Sequence, residues 1–396
     1  MHVPLRSHRF SHRNWAKSPC ALGRHSPLAH RHRPLDAFQA HEPAPGDSLL
    51  DWLALTRVAG LGPVRLAQLL ERFGSPQQVF AASRQDLLPL PLGEAVRDAL
   101  LQGPDHRWAL EQVHRAEDLG ASIVPLDDPL YPEPLRHIPQ PPPVLFVTGS
   151  VPLLHPRTVA VVGTRAPTGI GAESCGHLAR HWAREGIRIV SGLARGIDEI
   201  AHRAALEAGS ETVAVLGCGL DQLERASRVA LSREIARNGA VVTEFPFGDP
   251  VAKGNFPRRN RIIAGLAAAV VVAEAGERSG ALITARNALE QGREVLACPG
   301  PAGWESFGGC FRLLREGASL CAAPEDLHLA LGWQVASPAR SAPDGLLNLL
   351  TGPGATPEEI AVRMGSSVRD IQIQLVLREL AGEVVRGDGG RWRLRA

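Results

Sequence analysis

The sequence predicts an α/β protein: a parallel sheet with helices on both faces, set between an N-terminal helical segment and a C-terminal winged helix. Three observations lead there. Short β-branched runs alternate with amphipathic helical stretches from Val144 to about Leu331, the runs are almost continuously apolar, and glycines follow several of them. Strands buried on both faces need no polar side, and such strands alternating with helices build a doubly wound, Rossmann-like sheet. Ligands of these sheets sit at the carboxyl ends of the strands, in the crevice where the strand order reverses.

The 396 residues allow roughly two to three domains at about 150 residues each. Residues 1–46 carry seven basic side chains against Asp36 and Glu42, a net of +5; the whole chain is +2, so the remainder sums to −3. Seven of the 15 histidines fall in the first 41 residues, among Pro, Ser and Arg and without apolar periodicity. This reads as a disordered basic tail or an over-extended start. It lacks the apolar core of a signal peptide, and its irregular His spacing argues against a metal tract.

Residues 47–124 follow a helical period, as in Leu49, Leu50, Leu53 and Ala54, then Leu66, Leu69, Leu70 and Phe73. Gly60-Leu61-Gly62-Pro63 punctuates two helices, with Pro63 suited to a first turn. The segment reads as a helix-hairpin-helix or SAM-like domain whose turn either offers amides to phosphate or merely reverses the chain. A Pro-rich connector, 125–143, is broken by Tyr131. In the central domain, 144–332, strands are expected at Val144–Val147, Val159–Val162, Ile187–Val190, Val213–Leu216, Val241–Thr243, Val270–Ala273 and Val295–Cys298. Helices are expected at Ile170–Arg184, Asp198–Glu207, Leu231–Arg237, Arg261–Leu266 and Leu282–Glu290.

A linker, 333–343, leads to the last domain, 344–396. There Thr356 caps a helix begun by Pro357-Glu358-Glu359 and ended by Gly365. Val368–Leu380 forms a longer helix with Val368, Ile371, Leu375 and Leu377 as core, and Glu383–Arg386 pairs with Arg391–Leu394 as a wing. Its third helix leaves few cations for DNA, which favours a protein-contact or accessory role. Six cysteines without a CxxC pair argue against structural zinc and a disulfide framework, and no apolar run is long enough to span a membrane. A reduced, cytoplasmic protein is expected.

Chemistry concentrates at the predicted strand ends. Val161–Gly171 places a glycine after a strand and before a helix, an arrangement that offers amides to an anion. Its spacing is not GxGxxG, and the second strand ends in Ser191-Gly192 without an acidic residue, so NAD is disfavoured. Asp198 and His202 are one turn apart, open to an acid–base reading or to plain capping. Lys253–Gly265 is the most informative run: Lys253 is one of two lysines in an arginine-rich chain, and Arg258, Arg259 and Arg261 follow an interleaved Phe256. Cations for phosphates and an aromatic face for a base suit single-stranded nucleic acid; the plain alternative is a solvated charged turn with Phe256 in the core. Glu244, Glu274, Ser279-Gly280, Thr284 and Pro299-Gly300 point toward the same edge, with Glu274 placed to orient an arginine or to serve turn chemistry.

Together VVGTR, SGLARGID, VAVLGCGLD, the Lys253–Leu266 run, VVVAEA with SGALITA, and REVLACPG resemble the DNA-processing protein A family, also called Smf. The resemblance covers about Arg157 to Leu331. It implies a homodimer that binds incoming single-stranded DNA in natural transformation, protects it and assists loading of the RecA recombinase. It also implies no catalytic residue, no metal and no cofactor. Carried over, the DNA site comprises Gly163, Thr164 and Arg165, Ser191 and Gly192, Lys253, and Asn255, Phe256, Arg258, Arg259, Asn260 and Arg261. The chain departs from the family pattern at Glu224, Arg225 and Arg228 after GLD, and at Phe311 after Gly309-Cys310. Two other functions remain open: a Rossmann-like nucleoside-monophosphate hydrolase, whose usual PGG.GT turn is replaced here by AGERSGALITA, and a duplex-DNA regulator acting through the winged helix.

Overall fold

A computed structural model of the chain describes residues 49–150, 157–223, 226–333, 345–350, 354–380, 383–387 and 390–394. The basic tail, nearly all of the 333–343 linker, and Glu224 and Arg225 lie outside them. All described residues fall in one unit, Pro43–Ala396.

Six helices come first: α1 (Leu49–Arg57), α2 (Pro63–Phe73), α3 (Pro76–Ala81), α4 (Arg84–Leu87), α5 (Glu94–Leu101) and α6 (His106–Leu119). Their periodic leucines meet in a core of Leu55, Leu66, Leu69, Leu87 and Leu100, and Gly60 takes a positive φ of 80° at the turn into α2. Then follow β1 (Ala121–Pro125), α7 (Glu133–Arg136), β2 (Val144–Gly149), β3 (Thr158–Gly163), α8 (Gly169–Arg184), β4 (Arg188–Ser191), α9 (Ile197–Glu207), β5 (Thr212–Val215), α10 (Ala226–Arg237) and β6 (Gly239–Thr243). The chain continues through α11 (Asn255–Gly265), β7 (Ala269–Glu274), α12 (Ala281–Glu290), β8 (Glu294–Ala297), α13 (Gly308–Arg315), β9 (Ser319–Leu320) and α14 (Glu325–Leu331).

Nine strands form one sheet in the order β1-β2-β6-β5-β4-β3-β7-β8-β9. From β6 to β9 all neighbours are parallel, whereas β1–β2 and β2–β6 are antiparallel. The parallel sheet is thus extended by an antiparallel margin that the sequence pattern did not predict. Alternate residues of each strand serve two cores. On one face Ala160, Val162, Val213 and Val270 pack against Ile262, Ile263 and Ala285 of α11 and α12. On the other, Val159, Val161, Ile189 and Val271 pack against Cys175, Trp182 and Ala204 of α8 and α9.

Every expected strand is present within two residues at each end. Helices α10 and α11 start five and six residues before their expected first residues, Leu231 and Arg261. The segment expected as a connector is instead woven into the core: Val124 belongs to β1, and Tyr131, Leu135 and Ile138 are buried beside Ile262 and Leu266. Tyr131 donates its hydroxyl to Pro142 O at 2.8 Å.

Beyond the sheet lie α15 (Gly345–Leu349), α16 (Pro357–Met364), α17 (Val368–Leu380) and the antiparallel pair β10 (Val384–Arg386) and β11 (Trp392–Leu394). Thr356 accepts from Glu359 N in a capping box, and Gly365 closes α16 in the left-handed conformation at φ 64°. Ile371 and Leu375 are core as expected, whereas Val368 is exposed; the side chain of Leu377 lies outside the described residues.

His202 on α9 ties a titration to this packing. Thr212 Oγ1 donates to Ile189 O at 2.8 Å, so His202 Nδ1, 2.8 Å from that oxygen, must be the donor. Burial, with Arg259 nearby, pushes the His202 pKa down to about 3. The unfolded chain protonates near 6.5, so this contribution is complete above about pH 6.5 and is lost as pH falls toward 3, by roughly 1.4 kcal/mol per pH unit. Urea unfolding at about pH 7 and about pH 4 should therefore show wild type losing more stability than His202→Gln.

Candidate nucleic-acid interface

The first parallel strand, β3, lies at the centre of the seven parallel strands, with β4 on one side and β7 on the other. The chain leaves β3 and β7 in opposite directions, and a cavity of about 470 Å³ opens at their carboxyl ends. Gly163, the last residue of β3, with Thr164 and Arg165 line one wall, Gly276, Arg278, Ser279 and Gly280 after β7 another, and Phe256, Pro257, Arg259 and Asn260 of α11 the third.

Arg259 fixes the third wall. Its side chain is buried, and Nη1 donates to the carbonyls of Gly192 and Val215 at the ends of β4 and β5. Burial pushes its pKa down to about 10, partly offset by Asp198, so it stays cationic at neutral pH. Asp198 in turn accepts from Gly192 N at 3.1 Å and Ala194 N at 3.3 Å, holding the loop in which Leu193 takes a positive φ of 52°. A Cβ on Gly192 would strike the Arg259 guanidinium at 2.6 Å. The glycine is there to admit the charge.

With α11 so placed, Phe256 packs against Gly217 after β5 and carries the Arg165 guanidinium over its ring, 5.1 Å from the centroid. Lys253 and Arg278 are exposed, and among the described residues neither they nor Arg165 has a carboxylate within ion-pairing distance. Asn255 donates to Pro250 O at 3.4 Å, which closes the turn into the helix.

Several expected roles change. Arg261 does not face the cavity; it is buried and donates to Glu244 at 2.6 Å, and Arg258 donates to the same oxygen at 2.9 Å. Arg259 is a buried brace rather than a cation tracking a strand of phosphates. Ser191 is sealed in the sheet, donating to Val161 O at 2.6 Å. The amino end of α8 is not an open phosphate cradle. Glu274, fully buried, accepts from Thr168 N at 3.0 Å and Thr168 Oγ1 at 3.0 Å, and Thr168 itself caps Gly171 N. Glu274 therefore orients a helix cap, not an arginine, and its charge occupies the place an anion would take. Asp198 and His202 are likewise spent on backbone and on Thr212, not paired as acid and base.

Arg278 is the residue that sequence reasoning passed over: Glu277-Arg278 registered only as the absence of glycines, and nothing in the local pattern placed it at the rim. No cluster of three or more His, Cys, Asp or Glu side chains arranged for a metal occurs among the described residues.

Residues 122–332, which include every residue lining this cavity, match the model of the DNA recombination-mediator protein A family. The chain belongs to that family. It is 42% identical over 293 residues to Protein Smf of Escherichia coli (strain K12), spanning 69% of this chain and 77% of that one. It is 36% identical over 379 residues to the putative DNA processing protein DprA of Mycobacterium tuberculosis (strain H37Rv), spanning 87% and 93%. Among solved structures, DNA processing protein A (DprA) from Streptococcus pneumoniae superposes with a TM-score of 0.63 at 34% identity, covering 70% of this chain and 97% of that one. The large, mostly parallel sheet is thus the fold of recombination-mediator protein A.

The Glu274 cap sets a steric demand on α8. A Cβ at Gly171 would collide with the Glu274 carboxylate, whereas one at Gly169, in the same helical turn, meets nothing within 4 Å. Gly171→Ala should lower stability by about 2–4 kcal/mol because it displaces a buried, hydrogen-bonded carboxylate. Gly169→Ala should leave thermal unfolding unchanged or slightly raised, which separates the clash from a general effect of alanine.

Proposed function

We propose that the chain binds single-stranded DNA as a recombination mediator, protecting it during natural transformation and assisting its transfer to the RecA recombinase, as a cytoplasmic homodimer without a catalytic step. The observation that carries the reading is the Arg165–Phe256 stack at the switch-point cavity, with Arg278 in the cavity wall and the exposed Lys253 three residues before Phe256. A base has a π-face for Phe256 or for the planar guanidinium, and the exposed cations suit the phosphates on either side. Membership of the family, whose relatives include DNA processing proteins, supports the same direction.

Against a nucleotide hydrolase stands Asp198, the one carboxylate among the residues lining the cavity, which is engaged with the amides of Gly192 and Ala194; Glu274, at the α8 cap, is likewise spent on Thr168. The five cysteines of the described residues are buried free thiols, in keeping with a reducing compartment, and no helix among those residues is long and apolar enough to cross a membrane. Helices α1 and α2 about the Gly60 turn support a helix-hairpin-helix or SAM-like accessory domain. Helices α15 to α17 with the β10–β11 pair support a winged helix.

Fluorescence anisotropy across a salt series tests the site. Single-stranded oligonucleotide should bind more tightly than duplex, with a log–log salt slope of about −0.7 per phosphate contact. Lys253→Ala should make the slope shallower by about 0.7, while Phe256→Ala should lose roughly 1–3 kcal/mol with the slope unchanged. Duplex preference, or indifference to both substitutions, would refute the reading.

A further inference from the structure

Past the switch-point cavity the carboxyl edge of the sheet continues from β7 to β8, and the loop that leaves β8 carries Trp304. Trp304 is 44% exposed. Of the other described tryptophans, Trp52, Trp182 and Trp392 are buried, while Trp108 and Trp333 are half-buried and each carries a guanidinium, from Arg57 and Arg157. Among the described residues the Trp304 ring meets no other aromatic ring and no guanidinium, and its Nε1 has no acceptor. It is a flat, polarisable face with a free donor at one edge.

The backbone that carries this ring is fixed. Pro301-Ala302-Gly303-Trp304 is a tight turn: Trp304 N donates to Pro301 O at 3.3 Å, and Gly303, in its third position, takes a φ of 82°. Phe307 is buried, and its amide donates to Trp304 O at 3.1 Å. Gly309 N donates to Ala275 O at 2.8 Å, and a Cβ on Gly276 would lie 3.4 Å from Glu305 O. Gly276 lines the cavity, so the Trp304 turn is packed against the loop that bears Arg278. Glu277 and Glu305 are exposed beside the turn, and Glu277 lies against Gly308 at the amino end of α13, where the helix dipole favours it. Their charge disfavours a phosphate next to the ring. What remains of a nucleotide to meet it is the base, neutral and flat.

We infer that Trp304 is a second stacking platform for the same bound strand, taking a base beyond the Arg165–Phe256 stack, with Arg278 meeting the phosphates between the two. The inference rests on the single-strand reading above and extends that site along the sheet edge. Arg165 follows β3, Arg278 follows β7 and Trp304 follows β8, three neighbouring strands. The ends of β3 and β8 are two strand spacings apart, about 10 Å, so a strand laid across Arg165 reaches Trp304 within a few nucleotides. Every base has a π-face, and the platform adds affinity without sequence preference.

Oligo(dT) is titrated into the full chain, with tryptophan emission and the anisotropy of a labelled strand read in parallel. Binding should quench part of the wild-type emission. Trp304→Phe should keep the affinity, since a ring remains to stack, and lose most of that quenching. Trp304→Ala should bind roughly five- to a hundredfold more weakly with an unchanged salt slope, the signature of a lost stack rather than a lost phosphate contact. The ring is exposed, so both variants should melt as wild type does, and Trp304→Phe keeps the test valid if Trp304→Ala does not. Quenching that survives in Trp304→Phe, or a folded Trp304→Ala with wild-type affinity, overturns the platform while binding that still depends on Phe256 leaves the first site standing. Absence of oligo(dT) binding by wild type overturns both readings.

Discussion

The Arg259 guanidinium, buried at the carboxyl edge of the sheet, holds the site in register. It draws together the carbonyl ends of β4 and β5 and the start of α11, three segments far apart in the chain. A cation enclosed in this way is tolerated because those carbonyls and Asp198 replace its hydration. Everything at the crevice follows from that placement. Gly192 has no Cβ because the charge lies where one would be; Asp198 is anchored to the loop amides; and α11 is oriented so that Phe256 faces one cavity while Arg258 and Arg261 turn to Glu244.

The same geometry decides which groups are left for a ligand. Many doubly wound proteins bind phosphate rigidly with helix amides, and here the amide end of α8 is already taken by Thr168 and Glu274. Cationic contact is left to Arg165 and Arg278, which line the cavity, and to the exposed Lys253 in the turn before α11. Such contacts grip a polymer at many weak, salt-sensitive points instead of one rigid socket.

Much of this was legible from the residues. The β-branched runs located every parallel strand except the two-residue β9, because a strand buried on both faces has no other composition available. The capping box at Thr356 and the Gly365 stop located α16. The margin of the sheet was not legible: β1 is five residues ending in Pro125, directly after a helix, and its partner choice depends on strands made later. Charge was the least legible feature. Arg258, Arg259 and Arg261 read alike as a basic run, yet Glu244 and the carbonyls of Gly192 and Val215 separate them into different roles, and no local pattern records those distant partners. Arg278 was missed for the converse reason, since it reaches the cavity only through the position of β3 beside β7.

The antiparallel margin also bears on how the chain is made. Strands β1 and β2 leave the ribosome early, but the far edge of β2 finds its partner only when Val241–Thr243 of β6 has been synthesised. Until then that edge is a row of unpaired amides and carbonyls, the kind of surface on which nascent chains join one another. Trp52 and Leu53 of α1 and Ala109 and Ala116 of α6, which share a core with Val144 and Phe146, are already present by that time. The N-terminal helices are thus available to cover the apolar face of β2 before β6 is made.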